Sequence, residues 1–420
     1  MSILPHSYLS FSMPKLLTKI EITSLCLLFF SLFISKAGIY IGLSLLLLIQ
    51  FYSFASNKSF RELVSRNRLL WGFIGLFCLG IASTLSMDAK DTITYFRKAS
   101  ILLVFPILFF QLRKTNNLQW AQVSLIAGLL VGLGNAFYEL ALVSEWHGQR
   151  ITSFWDVGRW AECLGYSLAI LLPLIFEYRN SVTKGKRLFY IILSVCCLIA
   201  LVISGGRGPL LAITITSTLY LLLRSPKAFI TIALSFSAIF YVGKSFPPIE
   251  AVHQRISSIA DLNHNNSNNA RLVMWQNGFN FAKYNLANKP SEFFFGVGIE
   301  HFESKYLLFL DQSTNVKKMI EQANGEISFK DLHNTYLDLS VKIGAIYALA
   351  YMVILVLMLK FFLMHKDHVS AWAYSGICLV ITYGITSVFY TSGLEYQTTI
   401  FFSLVALCYA RVNVELKQNE

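Results

Sequence analysis

The sequence predicts an all-α polytopic membrane protein with about twelve transmembrane helices and one large helical loop domain. Three observations carry that prediction. Hydrophobic residues make up 55% of the 420 and charged ones 14%, with mean hydropathy +0.56, where a soluble domain is ~25% charged. The apolar residues gather into runs separated by short charged turns. A single long polar stretch, residues 244–334, interrupts that pattern. Such a composition excludes a soluble enzyme, a disordered chain and a disulfide-stapled secreted domain.

Taken in order, the apolar segments are 20–35, 37–54, 69–87, 98–112, 120–143, 162–177, 188–204, 209–223 and 227–243, then 335–363, 370–390 and 394–410 beyond the polar stretch. They divide the chain into a first group of spans (1–243), a loop domain (244–334) and a last group of spans with a tail (335–420). Lys15 and Lys19 ahead of the first run imitate a signal peptide. No small-residue cleavage site follows, so the segment reads as a retained helix. All seven cysteines sit in apolar runs with no ligand spacing, as small apolar filler.

The net charge of +12 would suggest a nucleic-acid partner in a soluble protein. Here it reads as topology, and no nucleic acid is expected. Alternate loops and the two tails hold 18 of the 35 basic residues (Lys58, Arg61, Arg113, Lys184, Arg224 and Lys366 among them), while the short loops opposite hold seven. Cytoplasmic loops collect Lys and Arg, so both termini are expected in the cytoplasm.

The 244–334 loop lies on the other side. It carries nine basic and nine acidic residues and is neutral overall. A structureless loop of that length is improbable in a compact protein. After Pro247-Pro248 and the polar tract His264–Asn269, where Asn268 or Asn269 can cap a helix, an apolar stripe of Leu272, Trp275, Phe279 and Ala282 follows at helical spacing. The expectation is a small helical domain against the membrane surface. Phe293-Phe294-Phe295 with Gly296-x-Gly298 reads as a tight turn docked into lipid or into the bundle.

Three short segments suit chemistry, and each has a plainer alternative. Ser204-Gly205-Gly206-Arg207-Gly208-Pro209 exposes backbone N–H groups and an arginine at headgroup depth, which fits a phosphate or diphosphate; equally, it is a turn whose arginine snorkels. Asn269-Ala270-Arg271 opens the loop's helix, a place favourable to anions; equally, Arg271 is a solvated surface residue. Asp331-Leu332-His333-Asn334-Thr335-Tyr336 ends the loop. Cationic neighbours would favour the neutral imidazole of His333, the form a general base needs; equally, it caps a helix. Glu139 and Glu395 at span ends, with Glu162, Asp338 and Lys342 in apolar stretches, are weaker candidates, and Asp338 and Lys342 can pair at their spacing of four. The histidines make no ligand pattern, and no Walker A loop, dinucleotide fingerprint or nucleophile elbow occurs, so neither a metal nor a cofactor is expected.

Together these segments resemble the O-antigen ligase family of bacterial inner membranes, part of a superfamily shared with O-antigen polymerases and protein O-oligosaccharyltransferases. The matching pieces are Ser204-Gly-Gly-Arg207-Gly, Ala270-Arg271, Phe295-Gly-Val-Gly298-Ile-Glu-His-Phe302 and His333-Asn334-Thr-Tyr-Leu-Asp-Leu-Ser-Val-Lys-Ile-Gly344, spread over residues 200–345. Arg150, in Gln149-Arg150-Ile-Thr-Ser-Phe, resembles a loop arginine of the family. The family often has a carboxylate just after His-Asn; here Thr335 and Tyr336 stand first, with Asp338 later.

The resemblance implies a GT-C-like fold in a Gram-negative inner membrane with a periplasmic active site. The implied donor is a glycan on undecaprenyl diphosphate and the implied acceptor a sugar hydroxyl of lipid A–core, with membrane lipid around both and no ATP, cofactor or metal. Arg207 and Arg271 would stabilise the departing diphosphate and His333 would deprotonate the acceptor, with Arg150, Gly206, Asn334, Asp338, Glu139 and Glu395 as supporting residues. An O-antigen polymerase or another transferase of the superfamily is the nearest alternative. A transporter or flippase is the rival of another class, disfavoured because no repeated halves are visible.

Overall fold

The computed structural model describes residues 15–56, 67–85, 87–178, 183–242, 250, 253, 266–313, 316–322 and 327–419. The basic residues Lys58 and Arg61, Arg179, the pair Pro247-Pro248 and His264 lie outside them. The described residues form helices without strands: α1 (Lys15–Ser31), α2 (Lys36–Ser56), α3 (Arg68–Leu85), α4 (Ala89–Ala99), α5 (Val104–Gln111), α6 (Thr115–Leu142), α7 (Val157–Glu177), α8 (Lys184–Ser204), α9 (Arg207–Arg224) and α10 (Pro226–Val242). The loop domain follows as α11 (Asn266–Asn288), α12 (Pro290–Phe295), α13 (Phe302–Ser313) and α14 (Val316–Gln322), and then α15 (Thr335–Lys342), α16 (Ala345–His365), α17 (Ser370–Phe389) and α18 (Tyr396–Asn419).

The protein is an all-helical, multi-pass membrane protein. Each of the twelve apolar segments is helical, but among the described residues eight helices are long and apolar enough to cross a membrane, with Leu69–Leu85 and Pro226–Ser235 as shorter apolar helices. Of the remaining segments, α1 has 17 residues and carries Lys15, Lys19 and Glu21, and α9 is bounded by Arg207 and Arg224. The span expected at 98–112 begins at Ala89. The span expected at 335–363 is two helices. Gly344, at φ +115°, breaks it, leaving α15 as a short helix ahead of the membrane segment.

That break is one half of a docking device. Gly296 and Gly298, at φ +87° and +96°, form the other half. The N–H of Val297 donates to the Val341 carbonyl (2.9 Å) and that of Gly298 to Lys342 (3.0 Å). Ser83 Oγ, at the end of α3, bonds both Phe295 O (2.9 Å) and Ile343 O (2.7 Å). A Cβ at Gly296 would collide with the backbone of Lys342, and one at Gly344 with that of Phe294. Only glycine permits this approach of backbone to backbone. Phe293–Phe295 end α12 instead of forming the expected turn, and the turn that follows, Gly296–Gly298, is docked into the bundle.

The loop domain has its own core. Phe281 of α11 packs on Phe302, Tyr306, Phe309 and Leu310 of α13 and Met319 of α14, continuous with Leu337 and Val341 of α15. Two expectations fail here. The helix begins at Asn266, so Asn268 and Asn269 lie inside its first turn and do not precede it. The apolar stripe is also split: Leu272 and Phe279 are exposed, Trp275 and Ala282 pack on the loop-domain core, and Ala270, Met274, Asn277, Phe281 and Asn285 are the buried positions. Periodicity identifies a face but not its surroundings, and the aromatic cluster of α13 claimed only part of it. The seven cysteines are free, as expected.

At the end of the bundle away from this domain, buried Glu21 pairs with Lys114 (2.7 Å) and Glu177 with Arg224 (2.8 Å). At the loop-domain end meet the C-termini of α3, α8 and α17 and the N-termini of α4, α7, α9 and α18, and there the candidate site lies.

Candidate functional site

His333 is held in an unusual conformation. Among the described residues it is the one non-glycine with positive φ, +45°, a state that costs of order 1 kcal/mol and needs outside support. That support is visible on every side. Asn334 caps α15, its side chain accepting from Leu337 N–H (3.1 Å). The N–H of His333 bonds Asp331 Oδ1 (3.2 Å), and the His333 carbonyl accepts from Trp275 Nε1 (3.3 Å). Leu332 N–H bonds Asp338 Oδ1 (3.2 Å), and Asp338 pairs with Lys342 (2.8 Å). The cap that His333 itself offered is therefore filled by Asn334, and the imidazole stands free of that duty, 40% exposed.

Nδ1 of His333 lies 3.5 Å from Asp331 Oδ1, longer than a good hydrogen bond but close enough for electrostatic orientation. A carboxylate on Nδ1 leaves Nε2 as the ring atom able to take a proton. The cationic surroundings expected for the ring are replaced, at closest range, by a carboxylate. Asp338 serves the scaffold: burial pushes its carboxyl up while Lys342 opposes the shift.

Arg271 meets a residue that the sequence did not single out, Tyr390, just beyond α17; Tyr390 lines a cavity with His333, whereas Arg150, Arg207 and Arg271 do not line it. Arg271 stacks on its ring at 5.5 Å. Burial raises the Tyr390 hydroxyl above its ordinary pKa, and Arg271 and Arg150 oppose that shift. A Cβ at Gly208 would lie 2.6 Å from the ring, and one at Gly158 3.4 Å, so the starts of α9 and α7 close on its two edges. The Tyr390 carbonyl accepts from Thr335 Oγ1 (2.7 Å), two residues past His333. Trp275, which holds His333, also packs on Phe389 (6.0 Å). A tyrosine at a span end reads as an ordinary interfacial aromatic; only the fold shows four distant segments meeting on it.

Local geometry delivers the other arginines. Gly205, left-handed at φ +73°, ends α8, and Gly206 takes the N-cap position of α9 against Ala161. Arg207 thereby opens the helix, where the dipole is positive. Ile151 N–H bonds Ile203 O (3.1 Å), laying the segment of Arg150 along the end of α8.

His333 and Tyr390 line a cavity of about 470 Å³ together with Glu162, Asp338, Glu395 and Lys98, within the ~300–1,000 Å³ usual for ligand sites. Glu395 lies between Lys98 (3.3 Å) and Arg159 (3.6 Å). Glu139 is not brought in: it is exposed on α6 and does not line the cavity. Lys98, Arg159 and Gln397 also line it. They were missed because they sit among ordinary loop and span-end residues.

Among the described residues one group, Asp88, Asp91 and His301, clusters metal-ligating side chains. Its geometry suits a clamp better than an ion. Nδ1 of His301 meets Asp91 (2.5 Å) and Nε2 meets Asp88 (3.3 Å), so the carboxylates occupy opposite ring nitrogens, whereas an imidazole ligand binds an ion through one. The contacts fasten the turn after Gly298 to α4.

Residues 192–352 match the O-antigen ligase family model, which spans α9, the loop domain and α15. No curated protein matches the chain. The matched segment includes Arg207, Arg271 and His333; Arg150 and Tyr390 lie outside it.

Proposed function

From an O-antigen ligase domain at residues 192–352, in a superfamily of glycan ligases and polymerases acting in membranes, we propose that this protein transfers a glycan from undecaprenyl diphosphate to a sugar hydroxyl of lipid A–core. The reaction takes place on the periplasmic side of a Gram-negative inner membrane, with both termini in the cytoplasm. The observation that carries this reading is the meeting of Arg271 and the start of α9 on Tyr390, which lines one cavity with His333.

His333 Nε2 takes the proton of the acceptor hydroxyl as that oxygen attacks the anomeric carbon, and Asp331 orients the ring. The glycosidic C–O bond to the diphosphate breaks, and the electron pair leaves with undecaprenyl diphosphate. Arg207 and Arg271, with Arg150, stabilise the charge gathering there through charge-assisted hydrogen bonds. A direct displacement inverts the anomeric centre. The docked loop domain holds donor and acceptor in register, a large source of rate.

The test is transfer by purified protein between a defined undecaprenyl-diphosphate glycan and lipid A–core. His333→Ala should slow transfer strongly while donor binding persists; near-wild-type transfer would remove His333 from the base role. A deletion strain separates the ligase from a polymerase. Bare lipid A–core with accumulating lipid-linked polymer supports the ligase, and core capped by single repeats identifies a polymerase.

A further inference from the structure

One wall of the cavity takes no part in the steps above. It comprises the first turns of α7 and the 391–397 segment leading into α18. Glu162 is wholly buried yet lines the cavity. Its Oε2 accepts from Tyr166 Oη (2.9 Å), and Ser392 Oγ makes only long contacts, 3.3 and 3.4 Å, to the two oxygens. A carboxylate accepts up to about four hydrogen bonds, so acceptor capacity remains. Gln397, 6% exposed, also lines the cavity, and its Oε1 has no hydrogen-bond partner among the described residues. The same holds for Thr391 Oγ1 and Arg159 Nε, again on lining residues.

Buried polar atoms are nearly always satisfied, and leaving them unsatisfied is costly. Here a carboxylate, an amide oxygen, a hydroxyl and a guanidinium N–H share one wall. Their chemistry selects the ligand. A diphosphate meets the carboxylates of Glu162 and Glu395. An apolar chain satisfies none of the four groups. A pyranose offers adjacent hydroxyls, each both donor and acceptor, which can donate to Glu162 and Gln397 Oε1 and accept from Arg159. We propose that this wall is a sugar subsite that reads ring hydroxyls. Its occupant is the first sugar of the donor or the terminal sugar of the acceptor, an assignment that rests on the transferase reading.

The experiment uses the full-length protein in detergent, with Gln397→Leu and Glu162→Gln. Binding is titrated with two probes: the core oligosaccharide released from lipid A by mild acid, and the glycan repeat freed of its lipid. Gln397→Leu should weaken one of them about tenfold, and raise KM for that substrate by more than it lowers kcat. Glu162→Gln, which replaces an acceptor oxygen by a donor, should weaken the same probe. The probe affected names the occupant. No binding of either sugar by the wild type, or equal binding by the wild type and Gln397→Leu, overturns the proposal. Should Glu162→Gln fail to fold, Gln397→Leu decides alone. A protein that binds sugar through Gln397 but forms no glycosidic bond keeps the subsite and loses the transferase reading.

Discussion

Two neighbouring regions, the surroundings of Tyr390 and the α7–α18 wall of the cavity, are built by opposite means. Around Tyr390 the chain collects cations from segments far apart, Arg271 from the loop domain and Arg150 and the Arg207 turn from the bundle. On the wall beside it, Glu162, Thr391 and Gln397 come from helix starts and a short connection between neighbouring spans. The first region gathers arginines, and the second sets the acceptors of Glu162, Thr391 and Gln397 beside the cations Lys98 and Arg159. The difference teaches how one site can separate tasks: one region for a leaving diphosphate, the other for hydroxylated rings, with His333 between them in role.

Substitutions can break or sharpen that contrast. The largest effect is expected for His333→Ala. Loss of a general base should lower the transfer rate by ~10²–10⁴ with donor affinity kept, as checked by single-turnover transfer beside donor titration. Arg271→Ala comes next. Removing one charge-stabilising donor should cost ~10²–10³ in rate and, unlike the first, weaken donor binding too; Arg271→Lys should recover part, because an ammonium keeps charge but lacks the planar fork. Equal donor affinity in Arg271→Ala and wild type would remove the cationic side from diphosphate binding.

Gly344→Ala should act through the frame and leave both sides chemically intact. The positive φ alone predicts a loss of about 1–3 kcal/mol, seen as a lower melting temperature and faster proteolysis of the loop domain. The smallest effect concerns Glu300. The hydrogen bond from Thr94, and then the one from Lys90, hold its carboxyl below the ordinary 4.5. A depressed carboxylate contributes stability that is full above its ordinary value and fades as pH falls through the lowered one. Exposure keeps that contribution small. Hydrogen exchange at the turn after Gly298 should rise slightly below pH 4.5 in the wild type, and Thr94→Val should blunt the change.

The membrane class and the helical segments were legible in the residues because lipid forces apolar runs of a fixed length. The motifs were legible too: Gly206-Arg207, Arg271 and His333-Asn334 stand out as polar or flexible groups where apolar ones are the rule. Other features were not. The outward turn of Leu272 and Phe279 depended on which face the aromatics of α13 took. The break at Gly344 depended on the glycine turn at 296–298 approaching it, a contact between residues nearly fifty positions apart. Tyr390 and Gln397 carry no local signal at all, since their roles consist of what surrounds them.

By itself, then, the sequence determined that the chain lives in a membrane as helices, and which polar and flexible residues stand out there, since solvent preference and side-chain chemistry belong to each residue alone. Only the tertiary structure decided that Arg271 and the start of α9 share one tyrosine, that Asp331 lies beside His333, and that Glu162 and Gln397 line the same cavity. Proximity between distant segments is set by packing and by glycine-permitted backbone contacts, which no single stretch of residues specifies.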